Sequence, residues 1–274
     1  MSSNPLQQYF RRPVIYFSLP SEGRYYSSDV VDIPPNGQLP VYPMTALDEI
    51  TARTPDALYN GTAMADIIKS CVPNIKDPWK INSIDLDAIT VAVKIASTGE
   101  EMEIDSKCPA CEEESKYGVN LIGILNQQVD VNYDELLNVG SLKIKFKPLT
   151  YVEINKINIS QFEVRRLLGF LVEADKSEEQ QQDIKENMIR LNSVLTEMLA
   201  STIESIITPE AIVTEKDYII EFLKSCDKKT NSTIRDYSIS LKERNSIKPL
   251  HIKCIKCSHE YNQSINLNVS DFFE

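Results

Sequence analysis

Two Cys-x-x-Cys pairs, Cys108-Pro109-Ala110-Cys111 and Cys254-Ile255-Lys256-Cys257, constrain this chain more than any other feature. Two thiolates held two residues apart on a tight turn can fill two corners of a metal tetrahedron, leaving two corners for the other pair. The flanks repeat as well. Ile104 and Ser106 precede the first pair at the offsets that Leu250 and Ile252 occupy before the second. Val119 and Leu121 follow it as Ile265 and Leu267 follow the second, with Tyr117 and Tyr261 nearby. Apolar residues alternate in both flanks, so each half reads strand, knuckle, strand. The pattern predicts a split zinc ribbon: one structural Zn2+ on Cys108, Cys111, Cys254 and Cys257, with a long insertion between the two halves.

Three other readings of the cysteines stand beside this one. Each pair could be a redox dithiol, although Cys-Pro-Ala-Cys lacks the βαβ surroundings of such motifs. Each could hold its own metal with His251 or His259, or the four could be ordinary buried residues. Zinc knuckles often carry Gly directly after the second Cys, where this chain has Glu112 and Ser258. Cys71 and Cys226 lie in half-apolar helical stretches and read as core. A metal with all four positions filled by thiolates builds structure, whereas catalytic zinc keeps a position open. The chain has two histidines, no His-Glu-x-x-His and no His-x-Glu ahead of a Pro-Cys-x-x-Cys. Phosphate-binding and nucleophile-elbow glycine motifs are missing too, and the eight glycines are scattered. The expectation is a non-enzyme with no small-molecule substrate.

A formal net charge of −11 opposes a phosphate backbone and argues against nucleic acid, the usual partner of zinc ribbons. The basic run at Lys224, Lys228 and Lys229 is diluted by Glu215, Glu221 and Asp227 and reads as a solvated helix end. Metal-type cysteine spacing implies a reducing compartment. Met1 to Phe10 does not resemble a signal peptide, and the apolar stretch Ile84 to Ala96 is too short and too charged to span a bilayer.

The fold class expected is α+β, predominantly helical, in four regions. Residues 1–44 combine Pro13, Pro20, Pro34, Pro35, Pro40 and Pro43 with aromatic residues, which predicts an extended arm. Its residues Tyr16, Phe17, Tyr25 and Tyr26 are candidate partner contacts, against the alternative that the arm folds over its own domain. Residues 45–99 predict three short helices. The first is capped by Thr45 and Asp48, and the second carries Met64, Ile67, Ile68 and Cys71. The third is capped by Ser83 or Asp85, buries Ile89, Ala92, Val93 and Ala96, and stops at Gly99. Trp79 is expected to anchor the loop before it. The ribbon takes residues 100–128 and 247–274.

The insertion, residues 129–246, opens with a strand through Leu142, Ile144 and Phe146. Capping boxes follow at Thr150–Glu153 and Ser177–Gln180, around a helix carrying Phe162, Leu167, Leu168, Phe170 and Leu171. A long helix from Glu178 to Ile207 carries Ile184, Met188, Leu191, Leu195 and Met198 at heptad spacing, a seam for its own helical hairpin or for another chain. Helices at Glu215–Cys226 and about Asn231–Arg244 lead back to the second ribbon half.

Several stretches together resemble the baseplate hub assembly proteins of T-even-like tailed bacteriophages. They are Leu19 to Tyr26 (LPSEGRYY), Leu39 to Glu49 (LPVYPMTALDE), and Asn60-Gly61-Thr62 through Ile68-Lys69-Ser70-Cys71-Val72. The approach Glu103-Ile104-Asp105 to Cys108-Pro109-Ala110-Cys111 fits as well. The resemblance covers about residues 19–125, is weak across the insertion and returns at Cys254 and Cys257. It implies a structural or assembly role at the hub of a contractile-tail baseplate. Partners would be other hub or tail proteins, the site of action the host cytoplasm, and no catalytic residues carry over. Retention in the virion is left open. The alternative from another class is a phage-encoded zinc-ribbon protein that binds nucleic acid or acts in transcription. It needs a basic ribbon face, yet Lys107, Lys116, Lys248, Lys253 and Lys256 are set against Glu112, Glu113, Glu114 and Glu260.

Overall fold

The computed structural model describes residues 5–128, 131–172 and 178–265. The chain forms two compact units, the first made of residues 1–130 and 245–274 and the second of residues 131–244. In chain order the first unit has strands β1 (Ile15–Phe17) and β2 (Leu39–Val41), then helices α1 (Ala46–Ala52), α2 (Pro55–Tyr59), α3 (Thr62–Cys71) and α4 (Ser83–Thr98). Strands β3 (Glu101–Lys107) and β4 (Glu114–Asn120) and helix α5 (Leu121–Gln127) follow. The second unit has β5 (Leu136–Val139), β6 (Leu142–Phe146), α6 (Tyr151–Val172), α7 (Glu178–Ser201), β7 (Ile203–Ile207), β8 (Ile212–Val213), α8 (Lys216–Ser225) and α9 (Lys228–Asn245). The chain then returns to the first unit with β9 (Leu250–Lys253) and β10 (Glu260–Gln263).

In the first unit the proline-rich segment folds onto its own helices, and in place of an extended arm it has a 3-10 helix at Pro5–Tyr9, two short strands and successive hydrogen-bonded turns between Leu19 and Gly37. Strands β1 and β2 pair antiparallel, with Tyr16 opposite Pro40, and Phe17, Leu19, Val30, Val31, Leu39 and Val41 are buried. Two three-residue strands suit a segment whose prolines cannot donate to a longer ladder. Thr45 and Asp48 form the expected capping box on α1. In α3 the face Met64, Ile67, Ile68 and Cys71 is buried, and Val72 ends the helix before Pro73. Trp79 is half-buried in a 3-10 turn at Pro78–Lys80. Helix α4 is apolar around most of its girth and stops at Gly99, whose φ of 100° few other residues would adopt.

Asp85 corrects one expectation. Asn82 holds the N-cap position of α4, and Asp85 is fully buried, accepting bonds from Ser21 N–H at 2.9 Å, Ser21 Oγ at 2.5 Å and Tyr26 Oη at 2.6 Å. Burial pushes its carboxyl above the usual carboxylate range, with the Ser21 and Tyr26 donors opposing the rise. The same carboxylate therefore ties the N-terminal segment to α4.

In the second unit an antiparallel sheet runs in the order β5-β6-β7-β8. Ile144 and Phe146 of β6 are buried, as are Ile203 and Ile206 of β7, Ile219 and Leu223 of α8, and Ile234 and Leu241 of α9. The Phe146 ring sits 5.2 Å from that of Tyr237. The long helix is shorter than its periodicity predicts. It ends at Ser201, about 36 Å from its start at 1.5 Å per residue. Residues Ile203–Ile207 instead form β7, in register with β6 through Ile144↔Ile206 and Lys143↔Ile207. β-branched residues favour that pleated, half-buried position. Helix α7 packs on α6, with Gln161 Nε2 3.5 Å from Met198 Sδ, while Met188 and Leu195 stay exposed. Asp227 accepts from the N–H groups of Lys229 and Thr230, which starts α9 three residues before the expected Asn231. The Ser177–Gln180 capping box and the side chains of Leu167, Leu168, Phe170, Leu171, Ile184 and Leu267 lie outside the described residues.

Candidate metal centre

Each Cys-x-x-Cys pair sits in the turn of a two-stranded hairpin. Strands β3 and β4 pair from Glu101↔Asn120 to Lys107↔Glu114, and β9 and β10 from Leu250↔Gln263 to Lys253↔Glu260. The two turns repeat bond for bond. Cys108 N–H donates to Glu113 O at 2.9 Å and Glu112 N–H to Cys108 O at 2.9 Å. In the second hairpin Cys254 N–H donates to His259 O at 2.8 Å and Ser258 N–H to Cys254 O at 3.0 Å. Glu112 and Ser258 have φ of 58° and 60°. The chain therefore adopts the left-handed turn at both positions where glycine is the easier residue, at a cost of about 1–2 kcal/mol each.

Residues of both hairpins and of α5 meet in one hydrophobic cluster. Val119, Leu121 and Ile124 are buried with Val91 and Ile95 of α4, and Met102, Ile104, Ile247, Leu250 and Ile265 pack against them. Cross-hairpin polar contacts add to this: Ser106 Oγ lies 2.9 Å from Tyr261 Oη and donates to Gln263 Oε1 at 2.6 Å. Lys256 Nζ donates to Glu113 Oε2 at 2.6 Å, tying one turn to the other.

These contacts bring Cys108, Cys111, Cys254 and Cys257 together, with all four sulfurs within 4.8 Å of one another. Cys108 Sγ lies 3.6 Å from Cys257 Sγ, and Cys111 Sγ 3.6 Å from Cys254 Sγ. A tetrahedron with metal–sulfur bonds of about 2.3 Å has sulfur–sulfur edges of about 3.8 Å, so the cluster fits one ion held by four thiolates. Sulfurs this close also compete for charge. Hydrogen bonds, first from the Cys257 backbone, hold the Cys254 thiol down at about 6. For Cys111 the Glu113 backbone bond lowers the value, but the neighbouring thiols of Cys257, Cys254 and Cys108 push it up to about 12. A dication removes that competition by favouring the thiolate at every corner.

His251 and His259 serve other contacts. His251 is 3.5 Å from Glu260 and 3.3 Å from Asn262, and the His259 ring stacks 6.1 Å from that of Tyr261. Neither belongs to the cluster. Cys71 is buried on α3, and Cys226 follows α8. Of the four aromatic residues singled out in the arm, Phe17 is buried in its own unit and Tyr26 is bonded to Asp85, whereas Tyr16 and Tyr25 are 58 % and 39 % exposed. The Ser21–Tyr26–Asp85 group escaped the sequence reading. Its signal was an acid at position 85, four residues before Ile89, on the buried stripe of α4.

No helix among the described residues is long and apolar enough to cross a membrane. Neither the curated proteins nor the solved structures include a match to this chain. Residues 33–274 match the family model described as T4 bacteriophage base plate protein. With that match spanning both hairpins and the whole of the second unit, the chain belongs to the T4 bacteriophage base plate protein family.

Proposed function

We propose that this chain is a non-enzymatic structural or assembly protein of the baseplate hub, acting through protein–protein contacts and stapled by one structural zinc on Cys108, Cys111, Cys254 and Cys257. The family match over residues 33–274 carries the baseplate reading. The four-sulfur cluster supports the metal, and its donor set supports zinc, since four thiolates in a tetrahedron suit zinc or iron and leave no open coordination position for chemistry. Partners are other hub or tail proteins, met in the host cytoplasm during assembly, and the exposed Tyr16 and Tyr25 of the N-terminal segment are available to such contacts. The outward residues of β3 are Glu101, Glu103, Asp105 and Lys107, three acids to one base, which argues against a nucleic-acid face.

The test is affinity capture of the tagged chain from infected cells, with identification of what co-purifies. Recovery of hub subunits supports the proposal. Recovery of DNA or RNA polymerase in their place, with a salt-dependent gel shift at low ionic strength, refutes it. Metal analysis of the purified chain should give about one zinc per chain, with sulfur at about 2.3 Å in X-ray absorption. A nitrogen ligand or two metals per chain would refute the site as drawn.

A further inference from the structure

We propose that the four-cysteine site is also a peroxide-responsive clasp, in which oxidation expels the metal and joins the two hairpins through Cys108–Cys257 and Cys111–Cys254 disulfides. This rests on the zinc reading above and adds to it a regulation of the same site.

Three features of the geometry point to it. First, the cysteines differ in access: Cys257 is exposed, Cys111 is intermediate, and Cys108 and Cys254 are buried at 1 % and 2 %. An oxidant from solvent therefore meets Cys257 first. Second, two close sulfur contacts run between hairpins, at 3.6 Å for both Cys108···Cys257 and Cys111···Cys254. Closing 3.6 Å to a disulfide bond of about 2.05 Å moves each sulfur by about 0.8 Å. An accessible cysteine sulfur with a partner sulfur in contact is the arrangement of a sensor cysteine beside its resolving cysteine. Third, the contacts between the hairpins do not depend on sulfur alone. The Lys256–Glu113 and Ser106–Tyr261–Gln263 bonds hold the turns in place while the ion departs.

The chemistry balances with a peroxide as oxidant. The Cys257 thiolate gives its electron pair to one oxygen of hydrogen peroxide, the O–O bond breaks, hydroxide leaves, and Cys257 becomes a sulfenic acid. The Cys108 thiolate attacks that sulfur, the S–O bond breaks, and a second hydroxide leaves as the disulfide forms. Two protons from solvent convert both hydroxides to water. A second peroxide does the same for Cys111 and Cys254, and the ion, stripped of its thiolates, leaves as aqueous Zn2+. The result is a covalent staple between positions 149 and 143 residues apart. A particle passing from a reducing cytoplasm to an oxidising medium would thereby keep its hairpins joined without metal.

The experiment uses the full reduced chain, whose zinc content is measured first. Hydrogen peroxide is then titrated in, with a chromophoric chelator reading zinc release and non-reducing peptide mapping reading the bridges. A sulfenic-acid trap added early should label Cys257 and not Cys108. The first equivalent should give the Cys108–Cys257 peptide, and the second the Cys111–Cys254 peptide with complete zinc release. Cys71, whose thiol burial pushes up to about 12, should remain reduced. Bridges within a hairpin, bridges between chains, or sulfinic acids without bridges would each overturn the clasp. Mapping is repeated on chelator-stripped protein, so a chain that carries no zinc at the outset defeats the metal reading while the bridge pattern still decides the clasp.

Discussion

Replacing Tyr26 by Phe removes one oxygen from a place where the structure uses it twice. The hydroxyl donates to Asp85 Oδ2 at 2.6 Å and accepts the Asn82 backbone N–H at 3.0 Å. Burial and the neighbouring Asp85 carboxylate raise the Tyr26 pKa well above the ordinary phenol range, so the hydroxyl keeps its proton and its donor role at any working pH. A hydrogen bond to a buried charged group contributes about 1.5–3 kcal/mol, and a buried N–H left without a partner costs about 1–3 kcal/mol. Asp85 keeps its two donors from Ser21, so the effects sum to less than their extremes, and a loss of about 3 kcal/mol follows. At about 3 °C per kcal/mol for a unit of this size, the unfolding midpoint should fall by about 9 °C. Tyr16→Phe is the control: Tyr16 is 58 % exposed, and its loss should stay within about 0.5 kcal/mol. Calorimetry of both variants, with limited proteolysis after Arg24, provides the assay. If Tyr26→Phe melts within a degree or two of Tyr16→Phe, Asp85 does not hold the N-terminal segment and the reasoning fails.

Three other perturbations have signs fixed by the structure. Cys254→Ser should abolish stoichiometric zinc and expose residues 248–265 to protease while the second unit keeps its own melting transition; unchanged cleavage of that hairpin counts against the metal staple. For Glu153, burial pushes the carboxyl up, but the Thr150 backbone and hydroxyl bonds and Lys147 outweigh it and hold the carboxyl below its ordinary range. A depressed carboxyl stabilises above its unfolded pKa of about 4.3 and loses that contribution as pH falls through the folded value, so Glu153→Gln should cost about 1 kcal/mol at pH 7 and flatten the acid limb of a stability–pH curve below about pH 4. Ser258→Gly should leave zinc affinity unchanged or raise it up to about fivefold, and Ser258→Ile should weaken it, because a β-branched residue resists the φ of 60° there; competition against a chromophoric chelator that ranked the two variants the other way would refute the turn argument.

What the sequence made legible was local or repeated. The capping pair Thr45–Asp48, the buried face of α3 and the alternation of β6 each follow from residues within one element. The four cysteines were legible at long range because the chain writes the same spacing twice, so one turn explains the other. The end of α7 was not. Leu199, Ile203 and Ile206 continue helical spacing at i, i+4 and i+7, and all three are buried in the fold. Periodicity cannot tell a helix from a strand that inherits its phase, and the deciding partner, β6, lies some sixty residues upstream. Asp85 was misread for the same reason: an acid two residues into a helix suits a cap, and its donors at Ser21 and Tyr26 are 64 and 59 residues away.

The N-terminal segment is held by its own fold and still carries exposed aromatic side chains. Arg11 donates to Pro43 O at 2.7 Å, Ser70 O at 2.8 Å and Ser70 Oγ at 2.9 Å, lies 3.6 Å from Asp48, and sits over the Tyr42 ring. That anchor fixes the backbone on either side of it. Tyr9, Phe10, Val14 and Tyr16 nonetheless remain more than half exposed, within eight residues of chain. A free aromatic tail would lose conformational entropy on docking, about 1–2 kcal/mol for each residue ordered. A segment already pinned by Arg11 and paired along β1 has met most of that cost within its own fold, so the exposed rings would reach a partner pre-organised. Loss of Arg11 should therefore weaken hub capture more than loss of any one exposed ring, because it releases all of them together.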